Sequence, residues 1–229
     1  MILRYDAGVT DPGIGYQECG PQLGCVRFAS SYVYSPRGSG WLAEGSRVMC
    51  ARVKTNNPLW LSHFAGQVYR SSLRDPELAG LFAHDAALIP VPGSARTGAD
   101  PWAALRLAVA LSEVGFGLPV WIGLRRRYAV IKSATAVAAA RPTVQQHYDS
   151  FAATLPSIPV SKIVLIDDVV TRGRTLLAAA ARLRSVSPHA DIRAFALIRT
   201  QGFVHRLEHM AESCHGMIRW AGGDARREP

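Results

Sequence analysis

The chain predicts an α/β fold, a parallel sheet of about five strands flanked by helices. Two observations carry this. From about residue 85 the apolar runs 86–92, 118–124, 162–166 and 191–198 are short and nearly free of polar residues, as strands covered on both faces are. The segments 101–115 and 173–186 lie between them and read as helices with their own start and stop residues.

Taken in order, residues 1 to about 55 read as irregular and strand-like. "CVRFASSYVY" (25–34) is rich in β-branched and aromatic residues, "SPRGSG" (35–40) is a turn, and "RVMCARVK" (47–54) reads as a second strand. "NNPLWLSHFAGQVYRSSL" (56–73) is a helix with Asn57 as cap and Pro58 at its first position, and Asp75-Pro76 repeats that start. "AALIPVP" (86–92) is a strand and "GSARTGAD" (93–100) a loop. The helix 101–115 takes Asp100 as cap and Pro101 at its first position, and Gly115 and Gly117 end it. "SATAVAAA" (133–140) reads as a short helix capped by Ser133, and 214–220 as a fifth strand. The reading divides the chain into an amino-terminal strand-and-helix appendage, 1–84, and a core, 85–229.

The composition bounds the function. The 229 residues include 26 Lys and Arg against 17 Asp and Glu, a formal charge of +9, so the chain attracts anions. The basic residues are scattered, and no DNA-reading motif accompanies them. Nucleic acid is therefore a partner without sequence support. The start, "MILRYDAGVTDPG", is unlike a secretory leader. The most apolar stretch, 102–124, is broken by charges, glycines and Pro119. A cytoplasmic protein without a membrane segment is expected. Cys19, Cys25, Cys50 and Cys214 lack metal-ligand spacing and read as buried free thiols.

The informative stretch is "KIVLIDDVVTRGRTLLAAAARL" (162–183). A buried strand ends in Asp167 and Asp168, and a loop with Thr171, Arg172, Gly173, Arg174 and Thr175 leads into a helix. The first amides of such a helix have no intrahelical partner and carry partial positive charge, which suits a phosphate. Gly173 lets backbone approach the oxygens, the threonines offer hydroxyls and the arginines charge. The two acids point to opposite faces of the strand. They suit vicinal sugar hydroxyls and a Mg²⁺ shared with a diphosphate. Sugar acceptors followed at once by phosphate donors suggest a ribose 5-phosphate group. The plainer alternative is an Asp that merely caps the next helix.

"VLIDDVVTRGRT" resembles the signature of the type I phosphoribosyltransferase family, a resemblance that extends from about residue 85 to 200. The resemblance implies a sheet of roughly five parallel strands under a variable hood, supplied here by the amino-terminal segment. It also implies a Mg²⁺-dependent transfer of phosphoribosyl from phosphoribosyl diphosphate to a small nitrogen acceptor, as in nucleotide metabolism. Asp167 and Asp168 would hold ribose and metal, and residues Thr171 to Thr175 the 5-phosphate. The family carries Thr or Ser after the first loop threonine, where this chain has Arg172. "IPVPGSART" fits the family's first loop, with Ser94, Ala95 and Arg96 lining the diphosphate site. Within the superfamily the chain is most similar to the competence-protein-F-like (amidophosphoribosyltransferase-like) group. It lacks that group's paired zinc cysteines and its Arg-Gly-Phe-Asn stretch.

The basic middle segment "LRRRYAVIKSATAVAAARPTVQQHYDSF" (124–151) lies where the family has a loop that closes over substrate. Lys132 and Arg141 are candidates for the diphosphate, and at least two of Arg125, Arg126 and Arg127 read as solvated. His147 reads as structural rather than as a general base. Phe203, Trp41 and Trp60 suit base stacking, though core packing explains each. A rival reading is a non-catalytic regulator that senses phosphoribosyl diphosphate. A homodimer is the commonest assembly for such a protein.

Overall fold

A computed structural model describes residues 24–55, 57–95, 102–117, 120–131, 141–154, 160–202 and 204–229. In chain order the elements are β1 (Cys25–Tyr34), α1 (Trp41–Lys54), α2 (Pro58–Ser72), α3 (Pro76–Leu81), β2 (Ala87–Pro90), α4 (Ala103–Glu113), β3 (Leu124–Arg126), α5 (Val144–Ser150), β4 (Phe151–Ala153), β5 (Lys162–Val170), α6 (Arg174–Val186), β6 (Asp191–Thr200), β7 (Ala211–Ala221) and β8 (Asp224–Glu228). Six strands form the main sheet in the order β2-β5-β6-β1-β7-β8, and β3 pairs with β4 in a separate ribbon.

The fold is α/β, with two departures from the expected sheet. Strands β2, β5, β6 and β1 are parallel, but β7 and β8 add antiparallel. The sheet is therefore mixed, with six strands. β1, from the amino-terminal segment, lies inside it, with Arg27 to Tyr34 in register with Arg193 to Thr200. Its near-continuous burial is that of an interior strand.

Local rules account for most elements. The side chain of Asn57 accepts from the Leu59 N–H at 3.0 Å, with Pro58 following, and Asp75 accepts from the Leu78 N–H at 3.0 Å. α4 ends where Gly115 and Gly117 take positive φ. Its expected start, Asp100 and Pro101, lies outside the described residues, as does the helix expected at 133–140.

Two strand readings fail. Residues 47–54 are the second half of α1, because Ala43, Ser46, Met49, Cys50 and Val53 recur at helical spacing and all face the core. Of the described residues 120–124 only Leu124 enters a strand, and that strand is β3. The Trp121 N–H still donates to the Leu88 carbonyl of β2 at 3.0 Å. Cys25 is exposed, against the expectation of buried thiols, while Cys50 and Cys214 are buried and all three are free.

Helices cover both faces. Met49, Leu61, Leu78 and Leu111, from α1 to α4, pack with Val164, Ile166 and Phe195. Val144 and Tyr148 of α5 and Leu176 to Leu183 of α6 pack with Ile163, Leu165 and Ala194 on the opposite face. Alternate residues of β5 thus feed opposite layers, as a pleated strand requires. Among the described residues no helix is long and apolar enough to cross a membrane.

Asp75 joins local to long-range structure. Besides capping α3, it lies 2.8 Å from Nε2 of His215 on β7. Asp75→Ala should lose about 1–2 kcal/mol of stability, read as a lower urea midpoint with an unchanged denaturant slope.

Candidate functional site

The alternation along β5 fixes where the two acids go. Asp167 continues the row of Ile163 and Leu165, and Asp168 the row of Val164 and Ile166. Asp167 is within electrostatic reach of Arg126 and of Lys54 of α1, and Asp168 of Cys50 of α1. The alternation starts the two side chains toward opposite faces, yet their carboxyls interact directly and the pair is not independent. Burial first, and then the neighbouring Asp168, hold the Asp167 carboxyl well above the usual carboxylate range, while Lys54 of α1 opposes the shift. Oδ1 of Asp167 accepts from the Asp168 N–H at 2.9 Å, and Oδ1 of Asp168 accepts from the Val169 N–H at 3.0 Å.

Two groups of backbone donors flank the acids. The first follows β2. Val91 extends the pairing with β5 through its N–H to the Ile166 carbonyl, at 2.8 Å. The next residues are held by their carbonyls: Trp102 Nε1 donates to Val91 at 2.7 Å, Arg126 Nε to Gly93 at 2.9 Å and the Val130 N–H to Ser94 at 2.9 Å. Among the described residues no protein acceptor takes the N–H groups of Gly93, Ser94 or Ala95. Successive amides of this kind form an anion-binding concavity.

The second group is the start of α6. Gly173 is its N-cap, at φ 87° and ψ 9°, and no side chain caps the first turn. Glycine is required there twice. The backbone is left-handed, and a Cβ would lie 2.6 Å from Ile218 Cγ2 of β7. Thr171 and Arg172 are exposed, and Arg174 and Thr175 half-buried.

The arginines of this loop do not reach freely into solvent. Arg174 grips Asp224 of β8 through Nε at 2.5 Å and Nη2 at 2.6 Å, and Arg172 Nη1 meets the same carboxylate at 3.2 Å. Hydrogen bonding from Arg174 holds the Asp224 carboxyl below its ordinary range. Arg174 Nη1 also donates to the Pro142 carbonyl at 3.2 Å and the Arg141 carbonyl at 3.4 Å. The β7–β8 hairpin thereby folds against the carboxyl ends of β5 and β6, a position also marked by Arg227 Nη2 on the Thr200 carbonyl at 2.7 Å.

Ser94, Ala95, Asp167, Asp168 and the loop Thr171 to Thr175 therefore gather at one end of β2 and β5. Arg141 borders the loop through its carbonyl. Arg96, Lys132 and Phe203 lie outside the described residues. Of the aromatics expected to pack in the core, Trp60 packs against it beneath the guanidinium of Arg52, whose Cζ lies 4.1 Å from the ring centroid, whereas Trp41 is 75% exposed.

Sequence reasoning missed three contributors. Arg125 and Arg127 are solvated, but Arg126 is 4% exposed and faces inward on β3. It donates to Gly93, to Ser150 Oγ and toward His147 Nδ1 at 3.1 Å, and its Cζ lies 4.0 Å from the Phe151 ring centre. Asp224 and Lys54 are the others. The one local signal was the in-out alternation Leu124-Arg125-Arg126, which a run of like charges conceals.

The donor set suits a hard cation. Two carboxylates sit close enough for one to raise the other, a repulsion that a divalent ion relieves, and carboxylate oxygens are its preferred ligands. Among the described residues no group of three or more His, Cys, Asp or Glu side chains is placed to hold a metal, so further ligands would come from substrate and water. A groove of about 660 Å³ lies elsewhere, lined by Arg27, Arg193, His215 and Arg219. Its charged groups are largely paired, Arg193 with Asp191, Arg219 with Glu228 and His215 with Asp75.

Residues 123–215 match the family model described as the phosphoribosyl transferase domain. The matched segment holds β5, the acid pair and α6, and leaves β1 and β2 outside it. The match is to the domain family and does not select the competence-protein-F-like group. No curated protein matches the chain.

Two outcomes follow from the geometry. Gly173→Ala should cost about 3 kcal/mol, from left-handed strain and the clash with Ile218, seen as a lower thermal midpoint with the fold retained. Asp167→Asn should do the reverse. A carboxyl raised in the folded state favours folding below its unfolded pKa of about 4, and that contribution is lost as pH rises through the folded value. The variant should melt a few degrees above the wild type at pH 8 and level with it at pH 4.

Proposed function

We propose that this chain, whose residues 123–215 match a phosphoribosyl transferase domain, is a Mg²⁺-dependent phosphoribosyltransferase. Diphosphate leaves the anomeric carbon of phosphoribosyl diphosphate, and a small nitrogen nucleophile takes its place. The observation that carries this reading is the placement of two sets of backbone donors on either side of an acid pair whose mutual repulsion is only partly relieved. Phosphate at one end, diphosphate at the other and hydroxylated carbon between them complement that layout.

The roles follow from position. The amides and hydroxyls of Thr171 to Thr175 take the 5-phosphate at the positive end of α6. The N–H groups of Gly93, Ser94 and Ala95 take the diphosphate, with Arg96, Lys132 and Arg141 assigned to it on sequence grounds. Asp167 and Asp168 accept from the ribose hydroxyls and hold the metal, which when bound offsets charge on the diphosphate. Arg172 and Arg174 act mainly through Asp224, which keeps the loop in shape. The positive charge that develops on the sugar ring is met by the carboxylates, and the reaction needs no protein nucleophile. α1 brings Lys54 and Cys50 to the acids, so the amino-terminal segment serves as the hood and holds the acceptor specificity.

Incubation with phosphoribosyl diphosphate, Mg²⁺ and a panel of bases and amines should release diphosphate. The double variant Asp167→Asn, Asp168→Asn should slow release by at least about a hundredfold. Release at the wild-type rate from that variant would falsify the assignment. Tight binding of phosphoribosyl diphosphate without release for any acceptor would identify a sensor instead.

A further inference from the structure

Behind the loop of α6 lie two buried polar groups, Arg126 and His147, to which the proposed reaction assigns no role. His147 is 3% exposed and sits on α5, whose capping box (Thr143 with Gln146) sets the first turn. Its Nδ1 lies 3.1 Å from Nη2 of the buried Arg126, and its Nε2 lies 3.5 Å from Oγ1 of Thr175. The ring is nearly parallel to that of Phe151, with centres 6.5 Å apart, so it is held edge-on between its two partners.

The chemistry of the first partner sets the direction of the second contact. A guanidinium has only donors. Nδ1 facing it must therefore be the acceptor, without a proton. Burial, then Arg126 and Arg174, push the His147 pKa down to about 3, so near neutral pH the ring carries one proton. That proton is on Nε2, which donates to Thr175. A hydroxyl that receives a hydrogen bond from one side offers its own hydrogen to the other.

We propose that Arg126, His147 and Thr175 form a one-way donor relay that makes the Thr175 hydroxyl an obligate donor to the sugar phosphate. His147 is then a positioning residue, not an acid or base. Arg126 also donates to the Gly93 carbonyl, so one guanidinium orients the loop assigned to the diphosphate and, through His147, the threonine assigned to the phosphate. The ligand assignment rests on the phosphoribosyl reading above, whereas the tautomer does not.

Two experiments separate these parts. Nitrogen-15 spectra of the wild-type protein should show His147 neutral from pH 5 to 8, protonated on Nε2 and bare on Nδ1. A proton on Nδ1, or an imidazolium at pH 6, overturns the relay without any variant. Calorimetry then measures ribose 5-phosphate. His147→Asn keeps an acceptor for Arg126 but offers no donor to Thr175, and should weaken binding about tenfold, the effect of one hydrogen bond to a charged group. Thr175→Val should lose a similar factor, and the double variant no more than either alone. His147→Gln, whose amide reaches the Nε2 position, should recover most of the loss. In turnover the KM for phosphoribosyl diphosphate should rise in His147→Asn while kcat stays within about threefold. Wild-type affinity in His147→Asn or Thr175→Val overturns the relay and leaves the phosphoribosyl reading intact. A wild-type protein that binds neither ribose 5-phosphate nor phosphoribosyl diphosphate overturns both.

Discussion

A single buried guanidinium organises this end of the molecule. Arg126 is 4% exposed, and isolating a charge from water at such depth is costly unless its donors are satisfied. They are met by Gly93, Ser150 and His147, with the face of Phe151 beneath and Asp167 within electrostatic reach. Burial lowers its pKa to about 10, so the charge persists at neutral pH. The consequence is geometric. The loop after β2, helix α5 and the acid pair on β5 cannot move apart without exposing or orphaning a buried cation.

The second constraint is steric. β5 turns into α6 through Gly173, whose left-handed backbone lies against Ile218. Bringing β7 so close to the turn requires the sheet to continue past β1, and the β7–β8 hairpin does so. Asp224 at the start of β8 then binds both arginines of the loop. A chain that reads locally as a phosphate loop is thus shaped from behind by a strand some fifty residues later.

The electrostatics divide into compensated and uncompensated parts. Arg174 and Asp224 reinforce each other, the one raised and the other lowered. Asp167 and Asp168 oppose each other, with partial relief from the Asp168 N–H, Lys54 and Arg126. Repulsion retained at the end of a buried strand lowers stability, as is common where a site is built for a cation or a polar ligand.

Much of this was legible in the order of residues. The caps at Asn57 and Asp75, the start and stop of α6, the acid pair and the apolar run before it depend on neighbours within a few positions, and local chemistry specifies them. α1 was misread because eight residues of its sequence, 47–54, taken without the preceding turn, hide the helical period. What the tertiary structure alone decided were the contacts made across long separations: β1 inside the sheet, Ile218 against Gly173, Asp224 on Arg174, and the inward turn of Arg126 within a basic run. Propensity and periodicity report the local backbone. Which distant partner satisfies a buried charge or fills the space above a glycine is set only when the layers pack.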